Sequence, residues 1–340
     1  MSSTDRPIGT WLFVVAGFVL AMVVVGGLTR LSHSGLSIVE WKPITGVIPP
    51  IGDEAWAAEY AKYQASPEGR TVNAGMSLDA FRGIFWVEWA HRLLGRVTGL
   101  VVFLPLVFFA ATRRLHHRLW PLLGIFALGG LQGLVGWLMV KSGLVDAPRV
   151  SHYRLTLHLG LALLTLSLLL WVALGAMVPR RIRVGAPSSS LGSLAIGSLV
   201  LTSVTVLWGG LMAGTHAGLA APTFPTMNGT WIPADLTPAE LGPLWSWTEN
   251  ALSIHFLHRM LAYATTLAVL LTVGITMTSS SSRFTRACAM GMSAHVLVQV
   301  ALGVLTVLGH VPMLWASLHQ LNGALLLGWC VAFLYGVRRT

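Results

Sequence analysis

The sequence predicts an all-α integral membrane protein of eight transmembrane helices, arranged as two pseudosymmetric four-helix bundles. Three observations carry this reading. Hydrophobic residues make up 54% of the 340 positions and charged residues only 10%, with a mean hydropathy of +0.71, which is more apolar surface than one soluble core can bury. Eight stretches are long enough to cross about 30 Å of hydrocarbon, a task that takes roughly 20 helical residues. The chain also repeats itself: Gly-Gly-Leu, four residues, His, one residue, Gly-Leu runs from Gly26 to Leu36 and again from Gly209 to Leu219, and His91-Arg92 returns as His258-Arg259. Such a repeat sets the architecture before any local pattern is read.

The spans are expected near 10–30, 84–111, 120–140, 153–177, 191–213, 251–277, 287–309 and 313–336. The first carries the repeated motif and has no small-residue cleavage site after it, so it reads as a retained helix and not a signal peptide. Segments after the even-numbered spans hold Arg113, Arg114 and Arg118, then Arg180, Arg181 and Arg183, then Arg283 and Arg286, then Arg338 and Arg339, with no acid among them. By the positive-inside rule these face the cytoplasm, and both termini lie there too. The expected location is the bacterial inner (cell) membrane.

Acids collect on the other side, among them Glu40, Asp53, Glu54, Glu68, Asp146, Asp235 and Glu249. The pI near 10.6 therefore reports topology and bilayer contact, and no nucleic-acid partner is expected. Two long outer loops, 31–82 and 215–250, are rich in Pro, Gly and Trp and read as caps. The expected domains are an N-terminal four-helix half (1–178), an inner link (179–190) and a C-terminal four-helix half (191–340). Cys288 and Cys330 are the only cysteines. Both fall in spans, so the outer loops hold no disulfide and no thiolate metal site is expected.

The chemistry is expected from histidine. His91, His158, His258 and His319 each fall several residues into an even-numbered span, at similar depth below the outer face. An ionisable ring there is costly unless paired or ligated, and two per half at matched depth point to ligation. Zinc or copper would recruit further Cys, His or carboxylate donors, and the second and fourth spans offer none beyond Glu88. Haem needs only two axial nitrogens, one from each side, so two pairs imply two haem sites. Arg92 and Arg259 are candidate partners for haem propionates; snorkelling to the interface is the alternative.

The halves differ where Glu88 precedes His91 by three residues, because the matching second-half residue is His255. A carboxylate on the histidine face of the helix suits proton transfer or stabilisation of positive charge, or it orients its neighbour. If one half is catalytic, Glu88 points to the first.

The runs GGLTRLSHSGLSIVEWKPITGVIPP, FRGIFWVEWAHRLLGR, LTLHLGLALL, FPTMNGTWIP, IHFLHRMLAY and SLHQLNGALLL together resemble the haem A synthase family, in particular its alphaproteobacterial and mitochondrial branch, over nearly the whole chain. The resemblance implies oxidation of a methyl group of haem O to a formyl group by successive oxygenations, giving haem A for terminal oxidase biogenesis. It implies that His91 and His158 flank the substrate haem, that Glu88 is the catalytic glutamate, and that His258 and His319 hold a haem b cofactor. Haem O synthase and oxidase assembly factors are the implied partners. An electron donor is required, and no residue of the chain identifies it. Some members carry a cysteine pair in the first outer loop; this chain has none there.

Other residues read more plainly. His33 and His216 share one slot of the repeated motif and suggest helix packing or propionate contact. His152, His255 and His310 suit the outer interface, and His295 lies deeper without a repeat partner. Trp41, Trp56, Trp86, Trp89, Trp245 and Trp247 suit an aromatic belt, while Gly26, Gly27, Gly209 and Gly210 permit close helix approach. Two rival functions remain at this point: a dihaem b-type electron-transfer cytochrome, disfavoured because all four histidines lie on one side, and a haem transporter or chaperone, which has no need of Glu88.

Overall fold

A computed structural model describes residues 5–145, 148–178 and 189–339. The expected link at 179–190, with Arg180, Arg181 and Arg183, lies outside the described residues apart from its last two positions, as does Asp146. Among the described residues eight helices are long and apolar enough to cross a membrane: α1 (Asp5–Leu31), α4 (Leu78–Ala111), α5 (Leu119–Val145), α6 (His152–Met177), α7 (Ser189–Thr215), α9 (Ala251–Thr278), α10 (Arg283–Leu308) and α11 (Met313–Arg339). These match the eight expected spans, and the chain is an all-helical integral membrane protein.

The two long loops are more ordered than their Pro and Gly content suggests. The first contains α2 (Asp53–Gln64) and α3 (Pro67–Arg70), and the second contains α8 (Gly242–Glu249). Asp53 and Glu54 open α2, where acidic side chains favour the positive end of the helix dipole. Ser66 caps α3 by accepting from Gly69 N at 3.1 Å, and Ser77 caps α4 through Ala80 N at 3.2 Å. Each cap satisfies an amide that the helix leaves free, worth about 1 kcal/mol.

The repeated histidine slot has a backbone role. His33 and His216, at the ends of α1 and α7, both adopt left-handed φ, 53° and 55°. At His33 the helix closes with Ser34 N donating to Thr29 O at 2.9 Å and His33 N to Arg30 O at 3.2 Å, the two bonds of a Schellman turn. His310 ends α10 the same way, with φ 60° and Val311 N donating to Thr306 O at 2.8 Å.

Contacts gather the chain into two units, one of Met1–Gly17 with Leu163–Thr340 and one of Phe18–Ala162. The changeover therefore falls inside α1 and α6. In the first of these units Gly9 of α1 sits so close to Met177 that no Cβ fits. There α10 packs along α11, and α7 along α9 and α11, around Val269, Cys288, Met292, Cys330 and Phe333. Hydroxyls stitch α7 to α9, Ser198 to Thr272 at 2.9 Å and Thr205 to Thr265 at 2.7 Å; such interhelical bonds average about 0.6 kcal/mol. The other unit carries an aromatic cluster at the base of the first loop, with Trp56 edge-on to Phe85 at 5.0 Å and Tyr63 stacked on Phe81 at 5.2 Å.

Candidate functional site

Each of the four histidines faces a glycine on a neighbouring helix of its own unit. A Cβ built on Gly26 of α1 would lie 3.3 Å from His91 Nε2, and one on Gly136 of α5 would lie 3.0 Å from His158 Cε1. In the other unit a Cβ on Gly209 of α7 would lie 3.4 Å from His258 Cε1, and one on Gly303 of α10 would lie 3.1 Å from His319 Cε1. Gly26 and Gly209, singled out for helix packing, thus make room for imidazoles, as do Gly136 and Gly303. The His258 and His319 ring centroids are 6.5 Å apart with planes at 72°. A metal-bound imidazole nitrogen sits about 2 Å from its metal, so this gap accommodates one ion bridging the two rings.

Three of the imidazoles also leave one ring nitrogen unbonded. The Nδ1 atoms of His158, His258 and His319 are buried without a hydrogen-bond partner, a costly state in a protein interior that calls for a ligand or another reason. Among the described residues no group of three or more His, Cys, Asp or Glu gathers to hold a bare metal ion. Donors in pairs, each ring seated against a glycine, fit a flat group ligated from both faces.

Above the first pair the outer loop closes on Glu88, which is 2% exposed. Its Oε2 accepts from Ser37 Oγ at 2.7 Å and from Ile38 N at 2.8 Å. Its Oε1 accepts from Arg92 Nε at 3.0 Å and Nη2 at 2.5 Å. Arg92 in turn donates to Ile38 O at 2.8 Å and Glu40 O at 3.0 Å, with Trp41 5.7 Å from its guanidinium.

The second half builds the same clamp on different chemistry. Arg259 Nε donates to His255 Nε2 at 3.1 Å, and Nη2 to Ala221 O at 2.9 Å and Thr223 O at 2.7 Å. Counted from the first glycine of the repeated motif, Ala221 and Thr223 occupy the positions of Ile38 and Glu40. The two arginines therefore hold equivalent carbonyls, and the residue beside each differs: a carboxylate in one half, an imidazole in the other. Both guanidinium groups, read from sequence as propionate partners, are engaged with their own loops.

A cavity of about 370 Å³ opens beside the Arg92 clamp of the first half, lined by Ile38, Glu40, Phe85, Trp89, Arg92 and Arg96 among others. Within the same loop, burial pushes the Glu68 carboxyl up to about 7 against the Tyr63 hydroxyl that donates to it, with the neighbouring Glu88 charge adding to the rise. Burial likewise pushes the Tyr63 hydroxyl up to about 12. Asn73 Nδ2 donates to Tyr63 Oη at 2.6 Å.

A model of the cytochrome oxidase assembly protein family matches residues 9–331. The chain belongs to this family. Proteins named Heme A synthase resemble this family member along almost their whole length. The one from Rhodospirillum centenum is 43% identical over 331 residues, covering 96% of this chain and 87% of its own. Those from Nitrosomonas eutropha and Caulobacter sp. strain K31 are 45% and 41% identical, covering 96% and 99% of this chain and 92% and 98% of theirs.

In this oxidase assembly protein the structure brings Glu88, Arg92 and the first loop together and pairs His258 with His319. Sequence reasoning missed Gln132 and Gln299, which donate to the backbone carbonyls of His158 and His319, each at 3.0 Å. The signal was there: Gln-x-x-x-Gly recurs as Gln132/Gly136 and Gln299/Gly303. It also missed Ser37 and Glu68, which carry no motif.

Proposed function

We propose that the chain is a haem A synthase, oxidising a methyl group of haem O to a formyl group by successive oxygenations. The observation that carries this reading is the inequality of two otherwise matching sites: a glycine-walled imidazole pair in each half, with a buried carboxylate, Glu88, beside only the first. The near full-length similarity to proteins named Heme A synthase supports it.

In this reading His91 and His158 flank the substrate haem, and His258 and His319 hold a haem b. The bound haem supplies electron transfer and oxygen activation. The protein's own part is positional and electrostatic. Gly26 and Gly136 leave space for the rings that bind the substrate. Glu88 offers negative charge and a proton acceptor at its carboxylate, held in place by Ser37, Ile38 and Arg92, and suits stabilisation of positive charge or proton transfer at the methyl being oxidised. The first loop, pinned by Arg92, keeps bulk water from that carboxylate.

The arginines Arg113, Arg114, Arg283 and Arg286 on one side support an inner-membrane protein with both termini cytoplasmic. The duplicated motif supports a substrate half at 1–178 and a haem b half at 191–340. Haem O synthase or an oxidase assembly factor is the partner class this activity calls for, together with an electron donor.

Co-expression with a source of haem O, followed by extraction and chromatography of the bound haem, tests the activity. Haem A or its hydroxylated precursor is expected. Recovery of unmodified haem alone, with Glu88→Ala indistinguishable from the parent protein, overturns the reading.

A further inference from the structure

The two histidine sites differ in a second respect, on the side of α5 and α10. In both halves a glutamine amide donates to the carbonyl of the α6 or α11 histidine. In the first half that is the end of the chain of bonds: Gln132 Oε1 is buried with no hydrogen-bond partner. In the second half the network continues. Asn322 Nδ2 donates to Gln299 Oε1 at 2.7 Å and to His295 O at 2.9 Å, and Asn322 Oδ1 meets His295 Nδ1 at 2.6 Å. Gln299 Nε2 then lies 3.3 Å from His319 Nε2 as well as bonding the His319 carbonyl. Gly323 makes room, since a Cβ there would come within 3.2 Å of Gln299 Nε2.

The first half has no means to copy this. Leu128 stands where His295 stands, one helical turn before the glutamine, and Leu161 and Ala162 stand where Asn322 and Gly323 follow the histidine. The Gln299 amide has both ends occupied, so its orientation is determined: Nε2 anchors the His319 carbonyl and Oε1 accepts from Asn322, which ties α11 to α10 at two points around the histidine. Gln132 has one end idle and leaves His158 more freedom to turn. Groups that orient a metal ligand typically change metal affinity by 10 to 100-fold.

We infer that His295, Asn322 and Gln299 form a retention lock: positioning residues that hold His319 so that the second site keeps its haem permanently, while the missing lock in the first half lets His158 release haem. This rests on the assignment of a resident haem to His258 and His319 and an exchanging one to His91 and His158. It accounts for His295, the deep histidine with no repeat partner, without giving it a ligand role.

The test is haem transfer from the purified full-length protein, loaded with iron protoporphyrin, to excess apomyoglobin. Two phases are expected, the slow one absent in H258A. N322L and H295A, and the double variant no further, speed the slow phase by about tenfold. The reciprocal set L128H/L161N/A162G slows the fast phase, a gain that misfolding cannot imitate. If H258A leaves the slow phase intact, the haem assignment itself fails. If H258A removes it but N322L and H295A release haem at the parent rate, the lock alone is overturned. Should those variants fail to assemble, an unchanged fast phase in L128H/L161N/A162G overturns it.

Discussion

Arg92 binds the carboxylate of Glu88 through both Nε and Nη2, at 3.0 and 2.5 Å, one helical turn along α4. The pair is almost fully enclosed, with side-chain exposures of 12% and 3%. Surface ion pairs contribute little, but a buried pair that loses one partner leaves an uncompensated charge.

Arg92→Ala is therefore expected to lower stability by about 3 to 5 kcal/mol and to release the first loop. Glu88→Gln likewise strands the Arg92 charge, although the amide oxygen still accepts from Ser37 and Ile38, so a loss in the same range is expected. Thermal unfolding in detergent of both single variants and of R92A/E88Q reads this: the double variant is expected to cost less than the two singles summed, and an additive double would mean that the pair contributes no charge-specific stability.

The haem assignment predicts separable defects. His258→Ala or His319→Ala removes the b-type spectrum, whereas His91→Ala or His158→Ala leaves it and stops product formation. A spectrum lost only in the His91 or His158 variants reverses the roles of the halves.

Glycine walls predict a steric effect without a change of polarity. Gly136→Ala and Gly303→Ala put a methyl 3.0 and 3.1 Å from the His158 and His319 rings, closer than carbon atoms ordinarily pack, so each ring must shift by a few tenths of an ångström. Altered low-spin haem spectra at near-normal protein yield are expected. Gly133→Ala, on the same helix as Gly136 with nothing within 4 Å, is the control and stays silent.

Glu68 gives a pH dependence. Its carboxyl, ordinarily near 4.5, is held up to about 7 in the folded loop, so between these values the native state binds a proton that the unfolded chain does not. Stability of α2 and α3 is then fully present below about pH 4.5 and declines as pH rises through 7, by on the order of 3 kcal/mol. Hydrogen exchange at residues 63–73 across pH 5 to 8 reads this; Glu68→Gln flattens the profile, and a parent profile already flat refutes it.

Composition made the spans legible, because a 20-residue apolar run has few other uses in a protein. The four histidines were legible because a polar ring in such a run stands out. What surrounds them was not. Arg92 and Arg259 bind main-chain carbonyls, which every residue possesses and no side chain advertises. The Asn322 contact to Gln299 joins two helices whose facing surfaces are set by packing. Helix α2 was hidden by the Pro and Gly on either side of it, although Asp53-Glu54 marked its start. His33 and His216 were visible as a repeated slot, but only the backbone angles explain them as helix closures.

The two arginine clamps hold the same pair of carbonyls on loops that share almost no side chains, Ser37-Ile38-Val39-Glu40 in one half and Ala220-Ala221-Pro222-Thr223 in the other. A grip on the main chain is indifferent to what the loop's side chains become. Each loop therefore meets its arginine with the same two carbonyls although the side chains differ, and the residue beside the guanidinium is a carboxylate on α4 in one half and an imidazole on α9 in the other. For protein engineering the same feature marks these loops as exchangeable parts, provided the two carbonyls keep their register and Ser37 is kept to hold Glu88.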